Sequence, residues 1–166
     1  CSFTAKEKLK HIVSKDAFNI DGLGKKVIDQ LWKMKFISKP SDIFKLNYSK
    51  ISLLEGWGEL SIKNLQAAIS KARKISLNRF IYSIGVRHIG QENAKILSSF
   101  FVSIKNFEEL FNNEKRKNIL KNLAELDGIG EIQLKSLEGF FSNKKNSDVV
   151  IPLIKVLKIE KIKNIN

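Results

Sequence analysis

Apolar residues along this chain recur at helical spacing. Leu9, Ile12 and Val13 mark the inner face of a first helix over roughly residues 5–14, with Thr4 and Glu7 placed as a capping box. A short helix over 16–19 is expected next. Val27, Ile28, Leu31 and Trp32 give a helix over 25–35, where a large aromatic more often belongs to the core than to a stacking site. Pro40 should open a short helix, and Ser49 can cap another over 50–54. Ile62, Leu65, Ala68 and Ile69 define a longer one running from Glu59 toward Lys74. Ser76 opens 77–84, and helices over 91–101, 103–111, 115–125 and 131–141 follow. Asn146 or Ser147 should cap a last helix to Val156, which Pro152 would kink or delay. The closing run 158–166 alternates Ile with Lys and reads as a tail or linker. No segment is an alternating run bounded by hairpin signals, so the class is all-α.

Between the helices one pattern repeats. Ile20-Asp21-Gly22-Leu23-Gly24 runs into the second helix, and near-copies start at Leu54 (Leu-Glu-Gly-Trp-Gly), Val86 (Val-Arg-His-Ile-Gly) and Leu126 (Leu-Asp-Gly-Ile-Gly). Seven residues after each last glycine stands a leucine: Leu31, Leu65, Leu97 and Leu137. The last glycines, Gly24, Gly58, Gly90 and Gly130, are 34, 32 and 40 residues apart, too uneven for a uniform solenoid. Four helix–turn–helix hairpins with variable connectors fit better.

Glycines flanking one apolar residue permit positive φ and close backbone approach. Leu23, Trp57, Ile89 and Ile129 can plug the space between the two helices of each hairpin. The exit helix then begins with unpaired N–H groups and the positive end of its dipole, an anion site that needs no side chain. A single Gly-x-Gly is better explained as a tight turn without a ligand. Four copies on a strongly basic chain favour the anion site.

That basicity is the main compositional fact: 30 Lys and Arg against 17 Asp and Glu, a net charge of +13. It predicts a polyanionic partner, nucleic acid or an acidic membrane surface, although a general bias toward lysine is a competing explanation. No apolar run reaches membrane-spanning length, and 43% apolar with 28% charged residues is ordinary for a soluble globular domain able to bury a core. One cysteine excludes an internal disulfide and fits a reducing compartment, here the cytoplasm. A start at Cys1 and a sole methionine at Met34 are expected of a piece of something longer.

The turns resemble helix-hairpin-helix motifs, which grip DNA phosphates from the minor-groove side without reading sequence. Glu7-Lys8-Leu9-Lys10-His11, the first turn, and the run from Arg79 to Gly90 (Arg-Phe-Ile-Tyr-Ser-Ile-Gly-Val-Arg-His-Ile-Gly) together resemble the four-motif domain of bacterial NAD-dependent DNA ligases. That resemblance implies two pseudo-dyad-related pairs, over 9–74 and 75–157, with 1–8 as entry from a preceding zinc module and 158–166 leading to a further domain. It also implies that Cys1, ten residues before His11, is the last ligand of a four-cysteine zinc site, although Ser2-Phe3-Thr4 departs from the Pro-Ala-Gln common there. His11 itself, among helix-period apolar residues, reads as a packed or capping side chain.

The implied partner is nicked double-stranded DNA, bound by a monomer through Gly22, Gly24, Lys25, Lys26, Gly56, Gly58, Arg87, His88, Gly90, Gly128 and Gly130. The turns are not equivalent. Lys25-Lys26 and Arg87-His88 suit a phosphate, whereas Glu59 and Glu131 stand at the mouths of turns two and four, each with a lysine four residues on (Lys63, Lys135) to draw it aside. His88 replaces the first glycine of turn three, either because histidine tolerates the turn or because it meets a phosphate.

No catalytic residue is expected in this chain. Nucleotidyl transfer needs a lysine in Lys-x-Asp-Gly, and Asn19-Ile20-Asp21-Gly22 has asparagine in that place. The chain is expected to hold no cofactor; NAD, magnesium and structural zinc would serve the parent enzyme. The alternatives are a DNA-binding domain of another repair or junction-processing protein built from the same hairpins, and a protein-interaction bundle whose turns are only structural.

Overall fold

A computed structural model of the chain describes residues 2–162. Its helices are α1 (Ser2–Val13), α2 (Lys25–Lys33), α3 (Pro40–Ile43), α4 (Tyr48–Ile51), α5 (Glu59–Ala72), α6 (Leu77–Ser83), α7 (Gln91–Phe101), α8 (Ile104–Glu108), α9 (Asn113–Leu123), α10 (Glu131–Phe141) and α11 (Lys144–Lys155). A single 3-10 turn, Glu109–Phe111, joins α8 to α9. The all-α reading holds, with one small exception. Lys74–Ser76 (β1) and Lys158–Glu160 (β2) pair in parallel, Ile75 opposite Ile159. At 158–160 the Ile–Lys alternation that read as a tail is a period-two strand, and Lys158 N–H donates to the Arg73 carbonyl at 2.7 Å; the end of that run, 163–166, lies outside the described residues. Beyond it, Ile162 N–H reaches the Val102 carbonyl at 3.0 Å.

Other departures are local, and those at helix starts have capping as their cause. Asparagines supply the caps: Asn47 accepts from Lys50 N–H, Asn112 from Glu114 and Lys115, and Asn143 from Lys145. Those starts precede the ones expected at Ser49 and at Asn146 or Ser147. Ser103 caps α8 as its place before that helix requires. Thr4 lies inside α1, not at its cap, because the helix already begins at Ser2. Residues 16–19 form a turn that closes on α1, Phe18 N–H to the Ile12 carbonyl at 3.0 Å, so no helix develops there. Helix α11 runs through Pro152 to Lys155.

One core runs through the whole molecule, from Leu9 and Ile12 of α1 to Val150 and Leu153 of α11. The four repeat leucines, Leu31, Leu65, Leu97 and Leu137, are each exposed by 1% or less. Burying one such side chain contributes about 1.5–3 kcal/mol, which is why the repeat keeps leucine there. Turns one and two pack on each other: Trp57 Nε1–H donates to Gln30 of α2 at 2.9 Å, and Leu65 of α5 lies beside Gly22. Turns three and four do likewise, Asn93 of α7 donating to the Gly128 carbonyl at 2.9 Å.

Three side chains tie the first pair to the second. Arg73 donates to the carbonyls of Val156 and Phe44 and lies over the Phe44 ring. Arg79 donates to the Lys15 carbonyl at 2.7 Å. His11 Nε2 lies 3.1 Å from the Tyr82 carbonyl, its ring against that of Tyr82, as expected of a packed histidine. Within the second pair, the buried Arg116 guanidinium meets Glu138, Asn113 and the Leu110 carbonyl. Such a buried cation is tolerable only because its donors are so fully matched.

Candidate nucleic-acid interface

The four turns share one backbone. Each plug residue donates to the carbonyl three residues back: Leu23 to Ile20, Trp57 to Leu54, Ile89 to Val86 and Ile129 to Leu126, at 3.1–3.4 Å. Leu23, Ile89 and Ile129 are buried, and Trp57 is half-buried. The residue before each plug has positive φ: Gly22 +89°, Gly56 +88°, His88 +64° and Gly128 +91°. Glycine is required there by conformation, and His88 is the exception that a histidine can be.

The second glycine has no such reason. Gly24, Gly58, Gly90 and Gly130 are extended, with φ between −124° and −77°. Of the two freedoms that glycine offers, positive φ is used only by the residue before the plug, which leaves close backbone approach for the one after it. A Cβ built on Gly24 or Gly58 would meet nothing within 4 Å, and one on Gly90 only Asn93 Oδ1 at 4.0 Å. At Gly130 it would approach the flexible end of Gln133 at 3.1 Å. In at least three of the four turns nothing inside the chain demands glycine. Each of these residues caps its exit helix, its carbonyl accepting from the N–H of the fourth helical residue (Ile28, Ile62, Ala94 or Leu134) at 2.9–3.1 Å.

The amide of that capping glycine distinguishes the turns. Gly58 N–H donates to Ser61 Oγ at 2.8 Å, Gly90 N–H to Asn93 Oδ1 at 3.2 Å, and Gly130 N–H to Gln133 Oε1 at 2.8 Å. Those acceptors occupy the third residue of α5, α7 and α10, where a side chain reaches back to the cap. In α2 the third residue is Val27, which has no acceptor, and Gly24 N–H meets none among the described residues. Turn one therefore presents one more free donor at its mouth than the others. This signal was present in the sequence as Val27 set against Ser61, Asn93 and Gln133.

Gly22, Gly24, Lys25, Lys26, Gly56, Gly58, Arg87, His88, Gly90, Gly128 and Gly130 are all exposed. The structure brings them together as two adjoining pairs of turns, one and two, then three and four. Lys135 approaches Glu131 at 4.0 Å, while no such pair forms between Glu59 and Lys63 among the described residues. Sequence reasoning passed over two further residues: Leu60 and Ile132, second in α5 and α10, are 70% and 51% exposed. Their place one residue after Glu59 and Glu131 was visible, but their exposure was not.

Beneath turn one, Asp29 of α2 meets Lys10 at 3.1 Å and Lys6 at 3.3 Å, fastening α2 to α1. The hydrogen bonds from Lys10 and Lys6 hold the Asp29 carboxyl below its ordinary range, and Asp29 in turn raises Lys10. Cys1, the expected zinc ligand, lies outside the described residues. Among the described residues no three His, Cys, Asp or Glu side chains gather to hold a metal, and no helix is long and apolar enough to cross a membrane.

Four turns of one geometry are set in an all-α frame with a shared core. Residues 79–150 match the helix-hairpin-helix motif family, a span that holds turns three and four. The particular likeness is to DNA ligases. Over 166 residues, its full length, the chain is 50% identical to a DNA ligase of Pelagibacter ubique (strain HTCC1062), covering 24% of that protein. A DNA ligase of Rickettsia bellii (strain RML369-C) is 41% identical, and so is one of Rickettsia canadensis (strain McKiel), each across 95% of the chain and 24% of the relative. The chain thus spans about a quarter of the length of the curated relatives it matches.

Proposed function

We propose that this chain is the duplex-DNA-gripping domain of a NAD-dependent DNA ligase, holding backbone phosphates around a nick without reading sequence. The observation that carries this reading is the second glycine of each turn. Gly24 and Gly58 have ordinary backbone angles and empty space where a Cβ would go, so their lack of a side chain serves something outside the chain. A phosphate oxygen drawn to the exit-helix amides would come against that position. The +13 charge supports a polyanion, and likeness to a quarter-length stretch of DNA ligases along the whole of this chain favours nick sealing over another repair context.

In this reading the chain contributes grip and orientation and no chemistry of its own, since Asn19 stands where the reactive lysine would be required. NAD and magnesium would be handled elsewhere in a parent enzyme acting as a cytoplasmic monomer. Zinc at Cys1 would need three more cysteines upstream. Turn one leads, with Gly24 N–H free and Lys25-Lys26 beside it, and turn three follows with Arg87-His88.

Fluorescence anisotropy with two duplexes of unrelated sequence, each intact and nicked, tests this across a salt series. Affinity should be equal for the two sequences and fall with a log–log slope of about −0.9 per phosphate held. A curve flat between low and moderate salt would sink the reading, and so would strong preference for one sequence.

A further inference from the structure

Resting on that reading, we propose that turns two and four read the sugar: Leu60 and Ile132 press on deoxyribose faces and make the domain prefer DNA to RNA backbones. Three observations coincide at these two turns; turn three shares only the second of them, through Gly90 N–H and Asn93, and turn one shares none. The first exit-helix residue is an acid, Glu59 or Glu131, both exposed at the mouth. The capping amide is already taken, by Ser61 or Gln133 at 2.8 Å. The second exit-helix residue is a large apolar side chain left mostly in water, 70% exposed at Leu60 and 51% at Ile132. The matching residues of turns one and three are Lys26 and Glu92, both exposed.

The fold therefore places no apolar requirement on this position, yet both pairs carry an apolar residue there in the even turn. Side chains at the start of a helix lean toward its N-terminus, which aims Leu60 and Ile132 at whatever the turn approaches. An acidic mouth with a satisfied amide is poorly suited to hold a phosphate. Next to the phosphates of a nucleic-acid backbone, the apolar surface on offer is the C–H face of the sugar, exposed along the minor groove. Leu53, just before turn two in the sequence, is a further apolar side chain left in water, 84% exposed.

The 2′-carbon then becomes the point of discrimination. A ribose hydroxyl pressed against the methyls of Leu60 or Ile132 would lose water without gaining a partner. Deoxyribose carries no such group.

The test compares the 166-residue chain with its Leu60→Ser/Ile132→Ser form on a DNA duplex and on a DNA–RNA hybrid of the same sequence. The double variant should bind duplex DNA roughly 10-fold more weakly, with the salt slope unchanged, because the lost contact is apolar. Its preference for the DNA duplex over the hybrid should shrink by a similar factor. Both substituted side chains are exposed, and a matching melting temperature confirms that the fold is kept. Leu60→Lys is the second arm: it should steepen the salt slope and still lose the preference. Unchanged affinity and unchanged preference in the serine form would overturn the proposal, leaving phosphate gripping intact. So would a hybrid bound more tightly by the parent chain than by Glu59→Gln/Glu131→Gln, since the acids would then be accepting from 2′-hydroxyls. Absence of duplex binding by the parent chain at low salt overturns this proposal and the phosphate-gripping reading together.

Discussion

Turns one and two have the same backbone and opposite chemistry. Both put a positive-φ glycine before a plug and an extended glycine after it, and both continue into a helix whose seventh residue, Leu31 or Leu65, packs the shared core. Yet turn one offers an unpaired Gly24 amide beside two lysines, while turn two offers a capped Gly58 amide beside Glu59 and an exposed Leu60. A motif defined by its glycines fixes where a ligand atom can approach. What approaches is set by the three residues that follow, which the fold leaves free to vary.

The largest effect should come from reversing charge at the stronger turn. Lys25→Glu/Lys26→Glu is expected to weaken duplex binding roughly 100-fold at low salt and to make the salt slope shallower by about two. Glu59→Lys should do the opposite at turn two, tightening binding by a few-fold and steepening the slope. Anisotropy titrations at several salt concentrations measure both. If the two changes leave affinity equally untouched, the ranking of the turns is wrong.

Alanine at the paired glycines of turn one separates a conformational role from a contact role. Gly22→Ala must hold a Cβ at φ +89° and should cost about 1–3 kcal/mol of stability. Gly24→Ala sits at φ −77° with open space around the new methyl. Its stability should stay within about 0.5 kcal/mol, reduced chain entropy offsetting a poorer cap. Affinity should nonetheless fall roughly 10-fold, since the methyl stands where a phosphate would come. Gly58→Ala should be as benign for the fold and should cost less in binding. Chemical denaturation and anisotropy on the same three proteins decide it.

A subtler exchange concerns the caps. Ser61→Ala removes the acceptor from Gly58 N–H and should cost about 1 kcal/mol of stability, as lost helix caps do. It also frees that amide, so binding should tighten slightly if free donors at the mouth matter. Val27→Ser provides turn one with the acceptor it lacks and should weaken binding by a few-fold. Were both substitutions neutral for affinity, the free Gly24 amide would lose its place in explaining why turn one leads.

The hairpins were legible because they are local: Gly22, Gly56 and Gly128 announce positive φ, and the leucines seven residues past each cap announce the buried face. The strand pair was not, because three residues at each end of an 82-residue separation carry too little pattern alone; only Ile75 opposite Ile159 gives them meaning. Nothing local in the sequence marks Arg73 or Arg79 as a strut either; that role appears only once Phe44, Val156 and Lys15 are beside them. Val102 is the least predictable position, a β-branched residue at φ +69° whose carbonyl receives Ile162 N–H. In the site, the side-chain identities at turns two and four were readable, whereas the exposure of Leu60 and Ile132 depended on how each pair closes.

The smallest expected effect again sets turn one against turn two. Five residues past the cap, α2 carries Asp29 and α5 carries Lys63; only the first is fastened to another helix among the described residues, through Lys6 and Lys10 of α1. The hydrogen bonds from Lys10 and Lys6 lower the Asp29 pKa, so its stabilising contribution is fully present above the ordinary carboxylate value near about 3.9 and is lost as pH falls through the lower folded-state value. Lys10 is raised, chiefly by its hydrogen bond to Asp29, so its contribution is present below the ordinary lysine value near about 10.4 and is lost as pH rises through the higher folded-state value. Between those limits the brace should be insensitive to pH. Melting curves of the parent chain and Asp29→Asn should therefore lie a small, constant distance apart from pH 5 to pH 9, roughly the plateau that these limits define, and should converge in strong acid. Curves that instead converge near neutrality would mean that some group other than this carboxylate fastens turn one's helix.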